Sequence, residues 1–126
     1  MSRMLTHSRV CTAAAAAPLG FVDITAEVER IVEASGVDAG RATILRTEDG
    51  CALVLNEQEK GLHADVQATI ERLSSQNGSG PPPVGSASLV LPIRGGRLYL
   101  GTWQRVLMIE LQQPCDRKLS VQVVGE

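Results

Sequence analysis

Aromatic residues are almost missing from this chain, which has one Trp, one Tyr and one Phe among 126 residues. A core built with so few rings must be aliphatic, and a stacking platform for single-stranded nucleic acid would lack its usual surface. Charge of one sign is missing too. With 12 basic and 14 acidic residues the net charge is -2, so no basic field draws the chain onto a phosphate backbone and no nucleic-acid partner is expected. No stretch approaches the roughly 20 apolar residues of a membrane span, and no membrane partner is expected. Ala13–Ala17 resembles a small-residue cleavage region, but no sustained Leu-rich or Val-rich run precedes it as an export signal requires. Cys11, Cys51 and Cys115 are odd in number and form neither a CxxC nor a metal-ligand spacing. They read as reduced structural thiols in a cytoplasmic protein. The two histidines, His7 and His63, fall in no ligand pattern and read as surface or rim residues. No metal site and no cofactor are expected.

What is present suits one domain over residues 1–126, since 44% of the chain is hydrophobic and domains of about 100–150 residues bury most of their apolar surface. Met4 to Cys11 reads as a weak strand and Phe21 to Ile24 as a short extended piece. A helix follows, with Asp23 or Thr25 accepting hydrogen bonds at its start, Val28, Ile31 and Val32 as its apolar stripe, and Gly36 as a left-handed terminator. Ala42–Leu45 and Cys51–Leu55, joined through Glu48-Asp49-Gly50, predict a hairpin on the Asp-Gly signal. Leu62, Val66, Ile70 and Leu73 predict a second helix. Ser74–Gly85, rich in Ser, Gly and Pro, predicts a mobile or extended loop. Four further strands, Ala87–Ile93, Arg97–Leu100, Arg105–Leu111 and Leu119–Val124, read as an antiparallel meander. Val106 to Ile109 is apolar on both faces and so calls for cover on both sides.

Few residues offer chemistry. The stretch between Arg72 and Arg94 contains no Asp, Glu, His, Cys, Lys or Arg, so its side chains supply no acid-base or metal chemistry. Asn56-Glu57 leaves the second hairpin strand where sheet proteins often place functional groups; a solvated loop is the plainer reading. His63 is near them in sequence. Glu110 shares a strand face with Val106 and Met108, so its carboxyl must either be paired or titrate high. Arg97 or Arg105 is the expected partner if the role is structural.

Phe21-Val22-Asp23-Ile24-Thr25, Leu55-Asn56-Glu57, Gly96-Arg97-Leu98, the block Leu100-Gly101-Thr102-Trp103-Gln104-Arg105, and a close from Glu110-Leu111 through Pro114 to Val124-Gly125-Glu126 resemble the YjbQ-like family. Members of that family are often described as secondary thiamine-phosphate synthases. The resemblance runs over nearly the whole chain. It implies an α+β fold with a mostly antiparallel sheet and about two helices. It also implies a homotrimer with a polar site near subunit contacts, and a weak activity joining thiamine pyrimidine and thiazole phosphates. A family His-Thr pair would fall where this chain has Glu48-Asp49, and further family His and Asp residues would fall in the uncharged stretch. Asn56, Glu57, Trp103, Gln104 and Glu110 remain, with Trp103 open to a plain packing role.

Two functional expectations follow. One is a catalytically degenerate trimeric scaffold or small-ligand binder. The other is a weak thiamine-phosphate synthase-like enzyme acting on a phosphorylated small molecule. The enzyme would use Glu48, Glu57 or Glu110 as base or cation ligand, and Asn56, Gln104, Trp103 or His63 as ligand contacts.

Overall fold

The computed structural model describes residues 3–57 and 85–126. The expected second helix, His63, the loop up to residue 84 and the side chain of Glu57 lie outside the described residues. In chain order the elements are β1 (Leu5–Ala13), β2 (Phe21–Asp23), α1 (Thr25–Ser35), β3 (Ala39–Arg46), β4 (Cys51–Glu57), β5 (Ser88–Arg94), β6 (Arg97–Leu98), β7 (Gln104–Glu110) and β8 (Arg117–Gly125). The fold is α+β with antiparallel sheets, one of five strands in the order β1-β8-β3-β5-β6 and one of three in the order β2-β7-β4.

Two expectations of topology are corrected here, and strand composition explains both. β3 and β4 do not form a hairpin, because the turn at Glu48-Asp49-Gly50 carries the chain from the larger sheet into the smaller one. β3 is one-sided, burying Ala42 and Ile44 while Arg41 and Leu45 face out. It therefore suits a sheet with one face in water. β4 buries Cys51, Ala52 and Leu53 in succession, so it needs cover on both faces and pairs instead with β7, which buries Val106 to Glu110 without a break. For the same reason the last strands are not a meander. β8 alternates, burying Leu119, Val121 and Val123, and inserts between β1 and β3.

The core lies between the inner face of the five-stranded sheet and two covering layers. One is α1, through Val28 and Val32; the other is the inner face of the three-stranded sheet, through Cys51, Leu53, Val106 and Met108. α1 begins where expected. Asp23 Oδ1 accepts from the Thr25 N–H at 3.0 Å. The Thr25 hydroxyl, buried, accepts from the Val106 N–H at 2.8 Å. The helix start is thereby fastened to the middle of β7. At the other end Gly36 takes φ 74°, a left-handed conformation that costs glycine little, and its N–H bonds the Glu33 carbonyl.

Candidate functional site

β7 carries Glu110 at one end and Gln104 at the other, and this spacing divides the candidate residues into two groups. Cys51 of β4 pairs with Glu110, Asn56 with Arg105 and Glu57 with Gln104. Asn56 thus sits five positions along the ladder from Glu110, roughly 17 Å away at about 3.4 Å per residue. Strand alternation also puts it on the opposite face of the sheet, with Ala52 and Val54. A single pocket shared by Asn56 and Glu110 is excluded by this geometry.

The first group centres on Glu110, which is 0% exposed. Its partner is Arg117, the first residue of β8, and not Arg97 or Arg105. Arg117 Nε donates to Glu110 Oε1 at 2.9 Å and Nη2 donates to Oε2 at 2.7 Å, a two-pronged pair. The Gln112 N–H adds a third bond to Oε2 at 3.1 Å. The sequence reading missed Arg117. The available signal was alternation along β8, which places residue 117 on the inward face with Leu119, Val121 and Val123. The two arginines expected instead are engaged elsewhere. Arg105 pairs with Asp23 at 2.7 Å, and Arg97 lies 4.0 Å from Glu29 at the far edge of the larger sheet.

Burial alone would push the Glu110 carboxyl up, but hydrogen bonds from Arg117, the Gln112 and Cys115 N–H groups and the guanidinium charge outweigh it and hold the carboxyl below its ordinary value. Arg117 is correspondingly held in its charged form, chiefly by the hydrogen bonds it donates to Glu110. Glu48 completes the cluster at its solvent edge, with Oε1 3.5 Å from Arg117 Nη1. Structure thus joins Glu48 to Glu110, as the site reading grouped them, but through a guanidinium that fills the place a bound cation would take. Gly50 makes room for it, since a Cβ at residue 50 would collide with the Arg117 guanidinium. Among the described residues no three His, Cys, Asp or Glu side chains are grouped as a metal site.

The second group lies at the opposite end of the β4–β7 ladder. Gln104 Oε1 accepts from the Gly101 N–H at 2.7 Å, so this side chain closes the turn that precedes β7. That turn holds Trp103 outward, 74% exposed, so the plain packing alternative does not apply within this chain. Asn56 is half-buried at the ladder's end. Next to it in the ladder, Arg105 is held by Asp23, whose carboxyl titrates low: burial raises it, and hydrogen bonds from Thr25 and Arg105 more than compensate. The three cysteines differ in setting, Cys51 buried, Cys11 half-buried and Cys115 exposed, and all are free thiols.

Comparison with known proteins agrees with the fold and with the motifs. The family model described as UPF0047 protein YjbQ-like matches residues 10–81 and 84–126. A UPF0047 protein of Archaeoglobus fulgidus is 32% identical over 117 residues, covering 82% of this chain and 90% of that one. The UPF0047 protein YugU of Bacillus subtilis is 25% identical over 119 residues, covering 83% and 89%. Among solved structures, a YbjQ-like protein of unknown function from Sulfolobus solfataricus superimposes with a TM-score of 0.85 at 30% identity, covering 98% of this chain and 100% of that one. A hypothetical protein from Aeropyrum pernix gives a TM-score of 0.84 at 27% identity, covering 94% and 98%. With nearly its whole length matched by the family model and its fold shared with these relatives, the chain belongs to the UPF0047, YjbQ-like family.

Proposed function

We propose that this chain is a family member in which catalysis has lapsed and the scaffold is kept, as a homotrimer that serves assembly or the binding of a small ligand. The observation carrying this reading is the state of Glu110. A general acid or base must exchange a proton near neutral pH and reach a substrate. Glu110 is fully enclosed, accepts two hydrogen bonds from Arg117 and is held ionised. Glu48 is turned toward the same arginine. Two of the three candidate carboxylates are therefore engaged with Arg117, Glu110 tying the end of β7 to β8 and Glu48 reaching it from the turn before β4, and Gln104 closes its own turn. The exposed Trp103, in the turn that leads into the other end of the ladder, supports contact with a ligand or a neighbouring subunit.

The test is turnover. Purified protein incubated with the thiamine pyrimidine and thiazole phosphates is expected to form no thiamine phosphate above a protein-free control. Turnover that Glu57→Gln abolishes, with the folded spectrum unchanged, would establish the synthase-like enzyme in place of the scaffold. Glu57 is the better probe than Glu110, because Glu110→Gln also disturbs a buried pair and confounds activity with stability.

A further inference from the structure

A recess of about 350 Å³ lies between the edge strand β1 and α1, away from both groups above. Two periodicities build it. His7, Arg9 and Cys11 are alternate residues of β1 and pair with Val123, Val121 and Leu119 of β8. Those partners are core residues, so this face of β1 is the one turned toward α1. On α1, Glu27, Arg30, Ile31 and Ala34 fall three, four and seven residues apart and form one stripe. All seven line the recess.

Its chemistry is uneven. Ile31, Ala34 and the Cys11 thiol give it apolar surface, and the thiol stays neutral because burial, followed by the Glu27 carboxylate, pushes its titration above the ordinary 9.0. Glu27 is matched by Arg30 at 3.5 Å. Arg9 has no such match: its guanidinium donates to the Ser8 carbonyl at 2.8 Å, and among the described residues no carboxylate pairs with it. His7 Nε2 is enclosed and, among the described residues, has no hydrogen-bond partner, a condition that native structures rarely leave unanswered. An unmatched guanidinium and an unmatched imidazole nitrogen therefore stand one alternate position apart on the same strand face, above apolar walls.

We infer that this recess is a binding site for a small aliphatic monocarboxylate, its head held by Arg9 and by the Nε2–H of His7 and its body against Ile31, Ala34 and Cys11. The arrangement of apolar walls with a few convergent polar groups is that of a small-molecule site, and the volume lies at the small end of the usual range. One anionic group is what the charges favour. Arg9 and Arg30 against Glu27 leave one net positive charge in the lining, and Glu27 repels a second anion on the ligand.

The experiment is an NMR titration of the full chain with hexanoate, with hexan-1-ol as a neutral probe of equal length. Saturable shifts of the His7 imidazole and Ile31 methyl signals by hexanoate are expected, with hexan-1-ol binding several-fold more weakly. Arg9→Gln should weaken hexanoate by about tenfold or more, the usual loss for a charge-assisted bond. Arg9 is exposed, so this variant keeps its fold, as unchanged signals elsewhere will report. Absence of a saturable shift at His7 overturns the site. Equal affinity for the alcohol, or no effect of Arg9→Gln, overturns its assignment to an anion.

Discussion

Glu110 and Arg117 are buried side by side, and the free energy of that arrangement depends on both being present. Removing one leaves the other as an uncompensated buried charge, costing about 3–5 kcal/mol, whereas replacing both with apolar residues is often near neutral. Arg117→Met should therefore lower stability in urea by about that amount, and Glu110→Leu combined with Arg117→Met should recover most of it. A double variant as weak as the sum of the singles would show that the two residues act independently. Acid adds a second signature. The Glu110 carboxyl titrates below its ordinary 4.5 in the folded chain. The pair thus contributes fully above about pH 4.5, and its contribution fades as pH falls through the lower folded value. Arg117 is shifted upward from the ordinary guanidinium value, so its own contribution persists through neutral pH. The wild type should lose stability more steeply below pH 4.5 than the double variant. Among the described residues Asp23, whose carboxyl is lowered in the same sense, contributes to the limb that remains.

At the scale of elements, the joint between α1 and β7 illustrates how a sequence motif becomes a tertiary fastening. Phe21-Val22-Asp23 pairs with Ile109, Met108 and Leu107. Ile24 then donates its N–H to the Val106 carbonyl at 2.9 Å, and the Thr25 hydroxyl accepts the Val106 N–H. Thr25→Val keeps the shape and removes the acceptor, leaving a buried N–H unpaired at a cost of about 1–3 kcal/mol. Thr25→Ser keeps the hydroxyl and should cost less. Thermal melts of the two variants, with hydrogen exchange at the Val106 amide, test this. Equal losses in both variants would assign the stability to the Thr methyl group and not to the bond. The start of α1 was legible from sequence because caps and apolar stripes are local. The partner of Thr25 was not, because Val106 lies 81 residues away.

At the scale of the whole molecule, the apolar faces of β7 do not call for a neighbouring subunit. Val106, Leu107, Met108 and Ile109, which call for cover on both sides, are all buried within the single chain. Glu110 is enclosed with an arginine of its own chain and needs no partner residue to answer its charge. Among the described residues, four exposed large apolar side chains, Val10, Leu45, Val90 and Tyr99, lie on the outer face of the five-stranded sheet. Val10 and Leu45 both pair with Ser120, in one row across β1, β8 and β3, and Val90 pairs with Thr43 in the next. Tyr99 joins that face, its N–H bonding the Pro92 carbonyl. An open apolar sheet face of this kind supports a contact between copies, and a biological one should bury more than about 1,000 Å². Sedimentation equilibrium at low micromolar concentration should give three times the chain mass, and Val90→Glu should lower it. A clean monomer mass for the wild type would remove the trimer.

Family, fold class and most element positions were readable in the residues alone, because strand alternation, helix stripes, caps and the Gly-Thr-Trp-Gln block are local patterns. Among the described residues no helix is long and apolar enough to cross a membrane. Strand partners and charge partners were decided only by the tertiary structure. The Asp-Gly turn looks like a hairpin whether the next strand folds back or crosses to another sheet, and the requirement of β4 for cover on both faces settles the matter. Glu110 announced that it needed a cation, since a buried carboxylate must be answered. Which arginine answered it depended on β8 inserting between β1 and β3, a long-range pairing that brings Arg117 to the end of β7 and that no local spacing encodes.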